Sequence, residues 1–372
     1  MLDFTSALYL GFEHASWSLP GWDRLTLGKP AALEEIPGSQ QVQRELAALT
    51  GCERVVLGSS TLHLFCDLFA MLARRNVTIW MDDATYPIAR WGADRAVATG
   101  VPVRRFAHHD AGALRRELSN VPADRPVIVT DGYCPVRGTH APLRDYARCA
   151  AARNGLLVVD DTQALGVFGR RAESMGAYGT GGGGSIQYFD LHHCHSELHH
   201  DDLCDSGIVV VSSLAKAFGA PVAMLGGSHA FVERFHESSA TLVHCSPPSA
   251  SAIAAAQRAL QMNWQFGDGL RRRLVERVVR FRRGLAVLLA AESLFPVQSL
   301  KLPGHIDAPA LYRRLIDRGI RSVLHRNSRD GRPRISFVLT ARHELREIDW
   351  AVKSLVDLMS RMRSRECIGS LG

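Results

Sequence analysis

The sequence predicts an α/β fold with a large domain and a small C-terminal α/β domain. Short apolar runs rich in β-branched residues, such as residues 126–130 and 208–211, have the length and composition of buried strands. Residues 270–285 instead repeat apolar side chains at helical spacing. A chain of 372 residues can build two cores. We expect an N-terminal arm over residues 1–39, a large domain over residues 40–264 and a small domain over residues 265–372.

Predicted helices and strands alternate along the chain after an irregular arm over residues 1–37. Helices are expected over residues 40–49, 62–74, 90–100, 252–265 and 270–291. Strands are expected over residues 54–57, 78–81, 103–106, 126–130, 156–160, 208–211, 222–225 and 334–340. This alternation is typical of a sheet covered by helices.

Composition is that of a soluble globular protein rather than a membrane or secreted protein. Hydrophobic residues make up 46% and charged residues 22% of the chain, without an apolar run of membrane-spanning length or a signal peptide. We therefore expect no membrane association and a cytoplasmic location. Eight cysteines without regular spacing favour reduced thiols over a disulfide framework.

A net charge of +7 and a pI near 9.1 raise the question of nucleic-acid binding. Many of the arginines lie on amphipathic helices, where residues 270–285 form one apolar stripe. A solvated helical face explains them better, with steering of anionic substrates as an alternative. We expect no nucleic-acid partner.

Lys216 is the only charged residue between Asp205 and the end of the predicted strand over residues 222–225. A lysine held against apolar strands loses solvation as a cation, so its pKa falls and its neutral amine can form a Schiff base. The alternative is a lysine that caps a turn with its ammonium in water. Upstream, the strand over residues 156–160 delivers Asp160 at its carboxyl end. A carboxylate there can pair with a protonated pyridine nitrogen.

Asp160 with Gly166 and Gly169, together with the segment Ser-Leu-Ala-Lys-Ala-Phe-Gly over residues 213–219, resembles the fold-type I pyridoxal-phosphate enzymes. Within them the chain is most similar to the α-oxoamine synthase family, from about residue 10 to residue 356. This resemblance implies an aspartate aminotransferase-like fold with a seven-stranded, mostly parallel sheet between helices. It also implies pyridoxal 5'-phosphate on Lys216 and a homodimer with active sites at the subunit interface.

Residues Gly-Ser-Ser-Thr over 58–61 precede a predicted helix, where free amides and the helix dipole favour an anion. An ordinary N-cap is the alternative. The resemblance implies that the cofactor phosphate binds here, and that a segment after the lysine reaches the phosphate of the neighbouring subunit. The predicted phosphate-binding residues are Ser59, Ser60, Thr61, His244 and Ser246.

Further cofactor contacts implied by the resemblance are Tyr86, Asp131, Gln163 and Ser213. Tyr86 stands where the family places a stacking histidine, and Gln163 and Pro135 replace a histidine and a serine. Tyrosine can stack on a ring but moves protons poorly near pH 7. These departures indicate an altered substrate or reaction rather than a lost cofactor. We also expect Arg334, with Arg332 as the alternative, to bind the substrate carboxylate.

The segment over residues 190–204 carries histidines and cysteines, with His195 and His199 spaced to share a helical face. A zinc or copper site is one interpretation. Because the spacing matches no closed ligand framework and glycines precede it, we favour a mobile surface loop that acts as a lid, and we predict no metal.

These features predict a pyridoxal-phosphate-dependent transferase with an amino-acid substrate and an acyl thioester as a possible second substrate. The favoured reaction is decarboxylative condensation of the two. Transamination of an amino acid or amine is the alternative, because Tyr86 replaces the histidine. A non-catalytic pyridoxal-binding protein is the second alternative.

Overall fold

The computed structural model describes residues 1–121, 125–171, 176–191, 207–285, 288–326 and 332–369. Its strands are β1 (Leu2–Asp3), β2 (Arg54–Gly58), β3 (Val77–Asp82), β4 (Val103–Phe106), β5 (Arg125–Asp131), β6 (Tyr133–Cys134), β7 (Thr139–His140), β8 (Leu156–Asp160), β9 (Ile208–Ser213), β10 (Ala223–Gly227), β11 (Val297–Ser299), β12 (Ile320–Arg321), β13 (Val323–His325) and β14 (Arg334–Val338).

The helices overlap the predicted helical segments and add others that were not predicted, among them a 25-residue helix over Leu345–Gly369. They are α1 (Ser39–Thr50), α2 (Thr61–Leu72), α3 (Pro87–Val97), α4 (Ala111–Ser119), α5 (Leu143–Ala151), α6 (Gly184–Tyr188), α7 (His229–Ser238), α8 (Ala240–His244), α9 (Ala250–Arg283), α10 (Ala308–Asp317) and α11 (Leu345–Gly369). Among the described residues, none of these helices combines the length and apolar character needed to span a membrane.

The larger of two compact units comprises Phe12–Cys134 and His140–Asp268 and is built on a seven-stranded sheet. The strand order is β2-β10-β9-β8-β5-β3-β4. Every pairing is parallel except those of β10, which runs antiparallel to β2 and β9. This confirms the predicted seven-stranded, mostly parallel sheet.

The sheet is buried on both faces, which explains why its strands read as continuous apolar runs. All residues of β3 and β8 are buried. Helix α2 packs its apolar face on the sheet through Leu64, Phe65, Leu68 and Phe69, each with no exposed surface. Packing on both faces fixes the strands, so side chains at their carboxyl ends have defined positions.

The smaller unit comprises Met1–Gly11, Pro135–Thr139 and Gly269–Gly372. It contains the antiparallel sheet β11-β14-β13 and an aromatic core in which Phe337 lies 5.5 Å from Phe4 and 5.1 Å from Phe281, measured between ring centroids. The sequence had suggested that the N-terminal arm is irregular throughout. Its strand β1 instead pairs with β12. The predicted domain boundaries after residues 39 and 264 stay a prediction.

Helix α9 corrects the prediction of two helices over residues 252–265 and 270–291. It continues through Gly267 and Gly269 and ends at Arg283. Each glycine inside a helix costs about 1 kcal/mol relative to alanine. Two hydrogen bonds offset part of that cost, from Asn263 Nδ2 to the carbonyl of Gly181 and from Gly181 N to Asp268 Oδ1, both 2.9 Å long.

Candidate active site

The carboxyl ends of three neighbouring parallel strands each carry an aspartate. Asp82 ends β3, Asp131 ends β5 and Asp160 ends β8. The register places Asp131 directly opposite Asp160. Lys216 lies in the turn between β9 and β10, and β9 pairs with β8. The three carboxylates and Lys216 therefore lie at the carboxyl ends of the strands, which is the usual place for a binding site in an open α/β sheet.

The Lys216 amine is held next to the carboxylates and below an aromatic ring. Burial lowers its pKa from the ordinary value, while Asp160 and Asp131 act in the opposite direction. Its Nζ lies 5.7 Å from the centroid of the Tyr86 ring. The lowered pKa agrees with the expected loss of solvation at Lys216 and favours the neutral amine that attacks carbonyl carbons.

Asp160 is 6% exposed and has a fixed orientation. The Thr162 N–H donates to its Oδ1 at 3.1 Å, and Thr162 Oγ1 accepts from Ser213 N at 3.1 Å. Burial raises the pKa of Asp160, whereas the bonds from Thr162 and the charge of Lys216 lower it. Thr162 is therefore a supporting residue that the sequence did not single out, although it directly follows the two aspartates.

Asp131 is a carboxyl group that holds its proton more strongly than usual. Burial and then the charge of Asp160 raise its pKa well above the ordinary value. The Tyr86 N–H donates to Asp131 Oδ1 at 3.1 Å. A protonated carboxyl can donate a hydrogen bond as well as accept one. The structure thus brings together Lys216, Asp160, Asp131 and Tyr86, which the sequence had placed in one pocket.

The predicted phosphate-binding residues come from two segments, residues 59–61 at the start of α2 and residues 244–246 at the end of α8. Ser59 Oγ donates to the Ser246 carbonyl at 2.6 Å, so two segments 187 residues apart line one cleft. Ser60 Oγ accepts from His63 N at 3.3 Å and caps α2, as the N-cap alternative had it. Thr61 is the first residue of α2, and His244 is the last residue of α8. His63, which the sequence did not suggest, also lines the cleft.

The remaining predicted residues lie on supporting elements. Ser213 ends β9, and its Oγ accepts from Ala215 N at 3.2 Å. Gln163 is half-buried in the segment after β8. Arg334 begins β14 of the smaller unit, opposite His325, and Arg332 is exposed. Their roles toward cofactor and substrate stay predictions.

The glycine run over residues 179–185 precedes the segment for which the sequence predicts a mobile loop, and all of it is described. Gly184 lies in a left-handed conformation, and a Cβ there would collide with the Asp161 carboxylate. The Ser185 N–H donates to Asp161 Oδ2 at 2.8 Å, and burial raises the pKa of Asp161 to about 6. The glycines therefore let the backbone approach a buried carboxylate under the site. The predicted lid falls almost entirely within residues 192–206, which lie outside the described residues.

Asp82 and His108 form a buried ion pair that sequence reasoning missed. His108 Nδ1 lies 2.6 Å from Asp82 Oδ1, with 6% and 1% of the two side chains exposed. Burial alone would lower the pKa of His108, but Asp82 and Cys134 raise it to about 9. Burial likewise opposes ionisation of Asp82, yet bonds from His108, His109 N and Ala84 N hold its pKa below the ordinary value.

This pair predicts a loss of stability in alkaline solution. The pKa of His108 rises from 6.5 to about 9 on folding, so its contribution is complete below pH 6.5 and disappears as the pH rises through 9. A shift of that size corresponds to at most about 3 kcal/mol. Denaturant unfolding of wild type and His108→Gln at pH 6 and pH 10 should show the stability difference shrinking at pH 10. An unchanged difference would contradict the ion pair.

A family model described as aminotransferase class I and II matches residues 25–355 of the chain. The 8-amino-7-oxononanoate synthase of Alcanivorax borkumensis is 26% identical over 330 residues, which cover 87% of this chain and 78% of that protein. The synthase of the same name from Methylococcus capsulatus is 29% identical over 322 residues, 85% and 76% of the two chains.

Solved structures show the same fold at low sequence identity. Serine palmitoyltransferase of Sphingomonas wittichii superimposes with a TM-score of 0.82 at 16% identity, over 96% of this chain and 87% of that chain. The 8-amino-7-oxononanoate synthase of Francisella tularensis gives a TM-score of 0.74 at 19% identity, over 98% and 99%. The predicted fold class is confirmed.

Proposed function

Because the chain belongs to the aminotransferase class I and II family and is a pyridoxal-phosphate-dependent transferase, we propose that it condenses an amino acid with an acyl thioester. The relatives named 8-amino-7-oxononanoate synthase support this reaction class. The observation that carries the proposal is the buried Lys216 amine, held beside Asp160 and Asp131 and facing the Tyr86 ring.

The donor set fits pyridoxal phosphate. A neutral Lys216 amine suits the aldehyde, and the buried Asp160 carboxylate suits a protonated pyridine nitrogen. The Tyr86 ring can stack on the pyridine, and the cleft between Ser59 and Ser246 at the start of α2 suits the phosphate. When bound, this cofactor supplies an electron sink for the bonds at the substrate Cα.

Lys216 and Asp160 have different roles in this reaction. With the cofactor bound, Lys216 would move protons at the substrate Cα, and Asp160 would hold the positive charge on the pyridine nitrogen of the cofactor. In the overall reaction the amino acid loses its carboxylate as carbon dioxide and its Cα forms a bond to the acyl carbon. The thioester carbon–sulfur bond breaks, and the sulfur leaves as a free thiol after taking one proton from solvent.

Transamination is the second candidate, and Tyr86 is the observation that favours it. A tyrosine hydroxyl exchanges protons less readily near pH 7 than the histidine imidazole that it replaces. Transamination asks less of that position, because the Lys216 amine alone can carry the proton. We favour condensation over transamination because both relatives are named 8-amino-7-oxononanoate synthase.

A product assay decides between these reactions. Purified protein with pyridoxal phosphate is mixed with each common amino acid, with and without a series of acyl thioesters, and with Lys216→Ala as the blank. We expect thioester-dependent release of free thiol and carbon dioxide in equal amounts. A keto acid and pyridoxamine phosphate formed without thioester would establish transamination instead. No turnover of any amino acid would favour the non-catalytic alternative.

The homodimer with shared active sites and the cytoplasmic location stay predictions. Trp17 and Trp264, which are 84% and 86% exposed in the larger unit, support a partner surface. Arg334 as the group that binds the substrate carboxylate also stays a prediction.

A further inference from the structure

We infer that Asp82 and His108 are positioning residues that hold the loop over residues 83–86, and with it the Tyr86 ring, over Lys216. The inference deepens the proposed function and rests on its placement of the cofactor at Lys216. It assigns a role to the buried pair at the carboxyl ends of β3 and β4, beside the residues that face the cofactor.

The Asp82 carboxylate joins two loops that are separate in the sequence. Its Oδ1 accepts from Ala84 N at 2.8 Å, in the loop that carries Tyr86. Its Oδ2 accepts from His109 N at 2.9 Å, and Oδ1 also binds His108 Nδ1 at 2.6 Å, both in the loop after β4. The His108 ring and the His109 N–H thus hold the Asp82 carboxylate in place, and this carboxylate in turn holds the loop that carries Tyr86.

The tether reaches Tyr86 through the backbone. Thr85 N donates to the Asp82 carbonyl at 3.0 Å, and Thr85 is only 1% exposed. The next residue, Tyr86, donates its N–H to Asp131 Oδ1. The side chain of Tyr86 is 52% exposed, so within this chain packing alone does not fix its ring. Its place over Lys216 depends on these backbone bonds.

Several charged or titratable groups lie next to His108. Asp82 and Cys134 raise the pKa of His108, the His109 ring stacks on it at 3.6 Å between centroids, and the Tyr146 hydroxyl lies near Asp82. Asp82 also contributes to the raised pKa of Asp131. Replacing either member of the pair therefore changes both the loop tether and the charge next to Asp131.

A metal site is the competing explanation, because donor atoms of Asp82, His108 and His109 lie within 4.8 Å of one another. Zinc ligands sit about 2.0–2.2 Å from the metal, so two ligands of one ion lie about 3 Å apart or more. The 2.6 Å between His108 Nδ1 and Asp82 Oδ1 is a hydrogen-bond distance instead. The geometry favours the ion pair.

A double-mutant cycle between His108→Gln and Tyr86→Ala tests the inference. We measure the pyridoxal phosphate dissociation constant from the visible absorbance of the bound cofactor, and kcat/KM across pH 6–10. His108→Gln should lower kcat/KM about 10- to 100-fold in the wild-type background, because small misplacements at a reacting centre are costly. In the Tyr86→Ala background it should change kcat/KM and the dissociation constant by less than about twofold. We expect wild-type kcat/KM to decline above pH 9, because His108 then loses the proton that it shares with Asp82. This decline should be absent in His108→Gln.

His109→Asn is the matched control, because asparagine tolerates the left-handed conformation found there, with φ at 55°. It removes a ring from the cluster but keeps the backbone bond to Asp82, so we expect wild-type cofactor affinity.

Equal losses from His108→Gln in both backgrounds would overturn the inference, as would stoichiometric zinc that His108→Gln and His109→Asn both remove. If His108→Gln does not fold, Asp82→Asn takes its place in the cycle. Cofactor affinity needs no thioester, so the cycle can be read even if the proposed condensation is wrong.

Discussion

Lys216→Ala should abolish turnover and leave no borohydride-reducible bond between protein and cofactor. Burial lowers the pKa of the Lys216 amine, which lies beside Asp160 and Asp131. General acid–base catalysis alone typically contributes about 10²–10⁴-fold, and loss of the covalent attachment adds to that. Turnover is measured by thiol release, and attachment by the visible band and by mass after borohydride treatment.

Lys301→Ala is the control for Lys216→Ala, because Lys301 is exposed and belongs to the smaller unit. It should keep the visible band and full activity. If Lys216→Ala still carries a cofactor that borohydride fixes to the protein, the assignment of Lys216 is wrong. Loss of the band together with loss of the folded state would require the comparison to be repeated with Lys216→Met.

Asp160→Asn should retain the fold and slow exchange of the substrate Cα proton by orders of magnitude. The amide has nearly the same shape as the carboxylate and can keep accepting from Thr162 N. It carries no negative charge, so it does not stabilise a protonated pyridine nitrogen. A charge-assisted hydrogen bond is about twice as strong as a neutral one. Deuterium exchange at Cα of the accepted amino acid, followed by NMR, measures the effect.

Asp161→Asn provides the matched control for Asp160→Asn. It removes the same charge one residue further along the chain, where the carboxylate accepts from Ser185 N. We expect a lower thermal stability with Cα exchange within about tenfold of wild type, because Asp161 accepts from Ser185 N and the charges that act on Lys216 are those of Asp160 and Asp131. Equal exchange in wild type and Asp160→Asn would refute the role given to Asp160.

The sequence by itself predicted the sheet and placed Asp160 and Lys216 at the carboxyl ends of its buried strands. Strands buried on both faces must be apolar throughout, so β8 and β9 stand out as continuous runs of Val, Leu and Ile. A lone Lys216 after one such strand and an Asp160 ending another break that pattern, and a buried charge is costly unless it is paired or used. Both residues were therefore predictable from local pattern together with the family resemblance.

Only the tertiary structure decided the partners of these residues and the surroundings that set their charge. The Asp82 and His108 pair spans 26 residues, and the bond from Ser59 to Ser246 spans 187. Helix α9 continues through two glycines beside hydrogen bonds to Gly181, and Gly184 and Ser185 lie against the Asp161 carboxylate. Sequence pattern reports the local period of burial, whereas pKa values and hydrogen bonds depend on distances between segments that only folding brings together.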